Sequence, residues 1–358
     1  MRSTRLVHLD DVDRRSISPH YCWLPTFNTY RYQKYGVLLS LERLPDHILQ
    51  QPAAHHPLSK MSADDRKALE NKVKRSFHAD FKQAEASRSD WDSSASVKYT
   101  KTPNPDWKFG DGANQAHIET PAKHIAIDPY EPGRSLIDNY KLSISAVVPR
   151  PIAFISTRSK DGSKENLAPM SFFQMINADP PLFIFAVNSP LAAAKDTLRN
   201  LVETGECVIN IVSEGIIEAV NATSIDAPYG ISEWDISGLT PVYDCQTVSC
   251  ARVKECIFSI EAKIESIREF DSRANPGTKS GTLEVVEATR FWAREDAINQ
   301  ERNVIDLSIL RPISRLGDIS YGRTLQAFQL PRPEFEKDLN GIQGFEELKK
   351  RHRATDIQ

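Results

Sequence analysis

What this sequence lacks narrows its chemistry first. Its nine histidines stand at positions 8, 20, 47, 55, 56, 78, 117, 124 and 352, so none falls between Ile125 and Arg351. A Ser-His-Asp or Cys-His apparatus in that stretch would have to import its imidazole, and His-based zinc patterns fail for the same reason. The pair His55-His56 lies in a loop with Pro and Ala and reads as surface decoration. There is no strand followed by G-x-G-x-x-G and no G-x-x-x-x-G-K-[ST], which disfavours a Rossmann or P-loop nucleotide site. No apolar run approaches the roughly 18 residues of a membrane span. The opening MRSTRLVHLDDVDRR carries three Asp residues and no apolar stretch behind it, unlike a signal or transit peptide. A formal net charge of -3 over 358 residues supplies no positive field for nucleic acid or anionic lipid. The expectation is a cytoplasmic protein with neither a nucleic-acid nor a membrane partner.

Cysteine is sparse too: Cys22, Cys207, Cys245, Cys250 and Cys256, an odd number without a C-x-x-C pair. Neither a disulfide framework nor a zinc hook fits that spacing, so buried structural thiols and no metal are expected.

Apolar residues make up 40% of the chain and charged residues 26%, an ordinary globular mixture. The texture changes near residue 130. Residues 1–60 show no sustained period and are expected to be poorly ordered; Met61 is a candidate natural start. Residues 61–130 read as a helix from Ser62 followed by a turn-rich arm, pinned to a larger body by Trp91, Trp107 and Phe109. Residues 131–335 read as a β-dominated domain with rim helices, closer to a barrel than to a doubly wound sheet. Strands are expected in ISAVVPRPIAFIST, in part of NLAPMSFFQMI, in PPLFIFAV and ECVINIV, and over 247–268 and 281–293. Asp161-Gly162 marks a hairpin turn, AAAKDTLRNLVETG a helix stopped by Gly205, and SEGIIEAVNAT a short helix. Residues 336–358 form a charged tail, a solvated helix or a frayed end.

Two segments carry chemistry. In AKDTLRN at 194–200, Asp196 suits an N-cap, while Lys195 and Thr197 add an ammonium and a hydroxyl at the positive end of a helix, a phosphate cradle. Taken alone, the segment reads rather as an ordinary capped helix with a solvated Lys. In ISTRSKDGSKENLAPMSFF at 155–173, Thr157 and Ser171 offer hydroxyls, and Asn166 offers donor and acceptor to the edge of a heteroaromatic ring. Pro169 breaks the ladder and frees backbone groups at Leu167 and Ala168. Phe172 and Phe173 point to opposite faces, one into the core and one toward a ring.

From PRPIAFISTRSKDGSKENLAPMSFFQMINADPPLFIFAV at 149–187, through KDTLRNLVETGECVINIV at 195–212 and APYGISEWDISGLTP at 227–241, to LRPISRLGDISYGR at 310–323, the sequence resembles the FMN-binding split-barrel flavoproteins of the flavin reductase-like (flavoredoxin-like) branch. The resemblance spans about 130–335 and implies a Greek-key split β-barrel that binds FMN near the interface of a homodimer, with an irregular or helical N-terminal extension. It implies that Asn166, Leu167 and Ala168 line the flavin ring, that Thr157 and Ser171 reach the ribityl-phosphate arm, and that Lys195 and Thr197 hold the phosphate. Asp196 stays a cap. Arg150 stands either at the pocket mouth or in a surface ion pair, and Arg315 and Tyr321 are structural. The implied activity is NAD(P)H-dependent reduction of flavin. The alternative is an FMN-binding electron carrier reduced by a partner, which the missing domain histidine favours. No catalytic acid or base is identifiable.

Overall fold

The computed structural model describes residues 80–114 and 123–355. The expectations for residues 1–60, for the helix from Ser62 and for Cys22 lie outside them. In chain order the elements begin with α1 (Phe81–Ala86), β1 (Lys98–Thr100), α2 (Leu136–Ala146), β2 (Arg150–Pro151), β3 (Ala153–Arg158), β4 (Glu165–Met170), β5 (Phe173–Ala178) and β6 (Pro181–Val187). There follow α3 (Asp196–Thr204), β7 (Glu206–Ile211), α4 (Ile217–Ala222), α5 (Glu233–Ser237), β8 (Pro241–Val242), β9 (Arg252–Val253), β10 (Phe258–Asp271) and β11 (Lys279–Ala293). The last are α6 (Leu307–Leu310), β12 (Ile313–Arg315), β13 (Tyr321–Arg323), β14 (Gln326–Phe328), α7 (Phe335–Asp338) and α8 (Gly341–Thr355).

The main sheet has seven antiparallel strands in the order β4-β3-β7-β10-β11-β6-β5. The hairpins β3–β4, β5–β6 and β10–β11 are interleaved, so this is no simple meander. Strands β4 and β5 occupy opposite edges, yet only Ser171 and Phe172 separate them in the chain. Seven flat strands would put the two edges about 29 Å apart. Three Cα steps reach roughly 11 Å. The sheet must therefore curl until its edges meet at that corner. Among the described residues no ladder joins β4 to β5, so the barrel is split rather than closed.

The expected strand ahead of Pro149 is instead the end of α2. Ser135 and Asp138 form a reciprocal capping box that starts the helix, and this local device outweighs the β-branched run. Its last carbonyls are held by Arg150, which is 7% exposed and donates to Ile144 and Val147 at 2.6 and 2.8 Å and to Leu316 at 3.3 Å. Arg150 is thus a structural clip, neither a pocket-mouth residue nor half of an ion pair. Although a strand is expected from residue 247, residues 244–250 form a loop tied to the buried Glu261 carboxylate. It accepts from the Gln246 and Thr247 amides at 3.0 and 2.6 Å and from the Trp292 indole at 2.6 Å. Burial pushes this carboxyl up, but the donated hydrogen bonds outweigh it and hold it below the ordinary glutamate range. The Gly205 stop is present, with φ of 71° at the C-cap.

Alternation along β3 divides the core. Ala153 and Ile155 face the barrel interior with Phe183, Phe185, Leu198, Leu201, Ile209, Ile260 and Val286. Phe154, with Leu167 of β4, faces a second cluster containing Val212, Val220, Trp234 and Val253. Cys207, Cys250 and Cys256 are buried free thiols, and burial raises all three. Phe173 is in the core, stacked on Phe183 at 6.0 Å, while Phe172 is exposed.

The arm docks differently from expectation. Trp107 packs only on Phe109 and donates to Gly112, a local turn. Trp91 does meet the body, under the Arg323 guanidinium at 4.1 Å. Glu214 holds Arg311 and Arg323 together, and these donate onward to the carbonyls of Ala95 and Asp92. Strand β1 then pairs in parallel with β14.

Stability should respond at two buried carboxyls. Glu214→Ala unlinks both guanidiniums; for a half-buried network this costs about 1–3 kcal/mol, and trypsin should cut near Arg88, Lys98 and Lys101 faster than in the parent. Glu284 is fully buried in β11, and neither carboxylate oxygen has a hydrogen-bond partner. Thr282 Oγ1 instead donates to the carbonyls of Val187 and Ser189. Burial raises this carboxyl to about 7. The native state keeps a proton that the unfolded chain has already lost, so stability falls as pH rises from the ordinary glutamate pKa to about 7, by about 3 kcal/mol in all. Glu284→Gln should therefore melt higher than the parent at pH 8, and the gap should close by pH 4; an unchanged gap would contradict the assignment.

Candidate functional site

Helix α3 carries Leu198 and Leu201 into the barrel interior, which fixes its rotation. The same rotation turns Thr197 and Asn200 inward, 2% and 0% exposed, against the Thr157–Asn166 pair of the β3–β4 ladder. Asn166 Nδ2 donates to Thr197 Oγ1 at 2.8 Å and lies 3.5 Å from Thr157 Oγ1; Asn200 Nδ2 donates to Thr157 at 3.2 Å. Three of the sequence-predicted residues are thus brought together directly. Asn166 spends its amide on Thr197, and Thr157 sits behind both.

Thr197 accepts from Asn166 and retains its own hydroxyl proton to donate. Beside it, Lys195 is exposed at the helix start. Lys195, rather than Asp196, is the N-cap; its amide donates to the buried Ser189 hydroxyl at 3.2 Å, which fixes the turn before the helix. That correction moves Asp196 into the first helical turn, as its acidic residue.

Ser171 stands at the corner between β4 and β5, half-buried, and its hydroxyl makes no hydrogen bond among the described residues. Met170 and Ala194, the neighbours of Ser171 and Lys195, both pack on the interior cluster.

Leu167 and Ala168 behave otherwise than expected. The Leu167 side chain is fully buried on the face opposite Asn166, and its amide donates outward to Glu233 Oε2 at 3.2 Å. Because antiparallel ladder bonds alternate, the Ala168 amide then faces β3. Pro169 falls at an outward-facing position of this edge strand and stays paired opposite Phe154, so it does not interrupt the ladder. The free edge offers the carbonyls of Leu167 and Pro169, acceptors rather than donors.

Charge is balanced closely around the helix start. Burial raises the Asp196 carboxyl, Arg199 and Lys164 oppose that shift, and Asp226 adds to it. Burial likewise raises Glu233; the amides of Glu233 and Leu167 oppose it, and the Asp196 charge adds to it. Lys164 and Arg199 lie over the Tyr229 ring, each 4.0 Å from its centroid. Sequence reasoning misses Glu233, Ser189, Asn200 and Tyr229. Asn200 was accessible to it, three residues from Thr197 and so on the same helix face; Glu233 has no local signal.

A cleft of about 310 Å³ opens on the Leu167 face of β4, lined by Glu165, Trp234, Asp235 and Tyr243 among others. It includes none of Asn166, Lys195 or Thr197. Among the described residues no group of His, Cys, Asp and Glu could hold a metal, and no helix is long and apolar enough to cross a membrane. Tyr321 donates to Asn221 and lies under Arg315, a structural pair as expected.

The groups at the helix start fit an anionic tail. The Flavin reductase like domain model matches residues 145–307. An uncharacterized protein of Halalkalibacterium halodurans is 36% identical over 202 residues, 56% of this chain and 94% of its own length. The structure of nitrilotriacetate monooxygenase component B from Bacillus cereus is similar with a TM-score of 0.54 at 32% identity, over 58% of this chain and 100% of that one. The 2-nitrobenzoate 2-nitroreductase NbaA of Pseudomonas fluorescens is similar with a TM-score of 0.51 at 30% identity, over 60% and 98%. The fold and these likenesses give one conclusion: the chain belongs to the flavin reductase-like domain family.

Proposed function

We propose that this protein binds FMN and catalyses NAD(P)H-dependent reduction of flavin. The observation that carries the reading is the Asn166–Thr197 hydrogen bond, which sets a hydroxyl donor beside Lys195 at the start of α3. The phosphate would be held by Lys195, by Thr197 and by the first amides of the helix, and Ser171 would meet the ribityl arm. Thr157 and Asn200 support this arrangement from behind. When bound, FMN supplies the hydride-accepting chemistry. The chain orients it, and the barrel interior excludes water from one side.

The acceptor-only edge of β4 suits a ligand N–H, and Ala168 would contribute packing there rather than an amide. Assembly as a homodimer belongs to the same reading. The edge strand β5 presents Met175 and Ile176, 50% and 49% exposed, beside the 39% exposed Phe172, an apolar strip suited to a second copy. Reduced flavin would pass to a partner, in keeping with the monooxygenase component it resembles. The setting would be the cytosol.

The purified full chain should bind FMN at micromolar or lower concentration, read by quenching of flavin fluorescence. A hydrogen bond to a charged group contributes about 1.5–3 kcal/mol, so Thr197→Val should weaken FMN roughly 10- to 150-fold. Asn166→Ala should weaken it less, because Lys195 and the helix start remain. FMN-loaded protein should oxidise NADH or NADPH when free FMN is supplied. Oxidation of neither, with FMN still bound, would leave the electron carrier as the correct reading, consistent with a domain that has no histidine between Ile125 and Arg351.

A further inference from the structure

Lys164 lies in the β3–β4 turn, Arg199 one turn into α3, and Tyr229 on the segment joining α4 to α5. The half-buried Tyr229 ring lies within 4.0 Å of both cations, and nothing in the flavin reading uses this arrangement. We propose that the Tyr229 clamp is a specificity device that makes the site accept a flavin mononucleotide and reject a dinucleotide. The inference rests on the flavin reading above and goes beyond it.

A mononucleotide ends in one phosphate, for which Lys195, Thr197 and the helix amides suffice. A dinucleotide continues into a second phosphate and an adenosine, and the second phosphate needs its own cations. Arg199 and Lys164 are the cations that act on the first turn of α3, where they offset Asp196. Both are committed, each by its charge to the Asp196 carboxyl and by its position to the Tyr229 ring. Two further groups act on this turn, and both are carboxylates: Asp226 on the Tyr229 segment and Glu233 on α5. A second phosphate at this end would meet that negative charge. Gly230, with φ of +97°, makes the left-handed turn directly after Tyr229.

The test is a pair of titrations, FMN and FAD against the full chain, read by flavin fluorescence at one ionic strength. The parent should bind FMN at least tenfold more tightly than FAD. Tyr229→Ala should narrow that ratio to within about threefold, chiefly by tightening FAD, because both cations are released. Tyr229→Leu keeps apolar bulk but removes the π face and should also gain FAD; Tyr229→Phe keeps the face and should retain the parental ratio. Tyr229 is outside the core clusters, and an unchanged melting midpoint would show that each variant is folded. A parent that binds the two flavins equally overturns the inference, as does a ratio left unchanged in both the Ala and Leu variants. Binding of neither flavin by the parent overturns the flavin reading itself, and this inference with it; FMN binding with an unmoved ratio overturns this inference alone.

Discussion

Strands at opposite edges of a seven-stranded sheet are joined by two residues, and the rest of the architecture is arranged around that short connection. It forces the sheet to curl and leaves a seam where no ladder is made. Backbone groups at a seam are exposed to whatever lies beside them, so each must find a partner or face solvent. On the β4 side the chain answers with Glu233 on the Leu167 amide and with Pro169, which has no amide to satisfy. On the β5 side the edge stays open and apolar. The seam is therefore asymmetric: on the β4 side Glu233 meets the Leu167 amide, and the β5 side is exposed.

The same corner explains why the candidate site is preorganised. Its polar groups sit on elements whose rotation is set by the core, namely α3 through Leu198 and Leu201 and β3 through Ile155. Thr157, Asn166, Thr197 and Asn200 are joined by hydrogen bonds on these fixed elements, so no large rearrangement is needed to present the Thr197 hydroxyl. A rigid donor set loses less entropy on binding than a flexible one. The Asn200 Oδ1 atom is buried without a partner, and Thr157, whose oxygen accepts from Asn200, has its own proton left to direct.

Much of this was legible in the sequence, and the reasons are local. Gly205, Asp161-Gly162 and the alternation in PPLFIFAV each announce one element through a short-range rule, and each is present. The Thr197 hydroxyl and Lys195 at the helix start are visible because helix termini have known needs. The features that stay hidden depend on contacts distant in sequence. Glu233 reaches Leu167 across 66 positions, and Glu261 reshapes a loop that reads as a strand. The run before Pro149 misleads for another reason: its β-branched residues favour strand, but the Ser135–Asp138 box nucleates a helix ahead of them. Asp196 reads as a cap by residue type alone, whereas the Ser189 hydroxyl places the boundary one residue earlier.

The buried carboxyls make sense when the site is viewed as a set of competing demands. An anion cradle is best served by positive charge alone, yet Asp196 and Glu233 stand beside this one, and burial raises both. Glu233 has a backbone reason, since removing it would leave the Leu167 amide unpaired at 0% exposure of its residue. Asp196 has a different one: without it, Arg199 and Lys164 would be uncompensated and free to recruit any polyanion. A site that must hold one phosphate firmly and others weakly gains from having its surplus cations already engaged. On the proposed reading the carboxyls are the part of the site that would discriminate, while Thr197 and Lys195 are the part that would hold the phosphate.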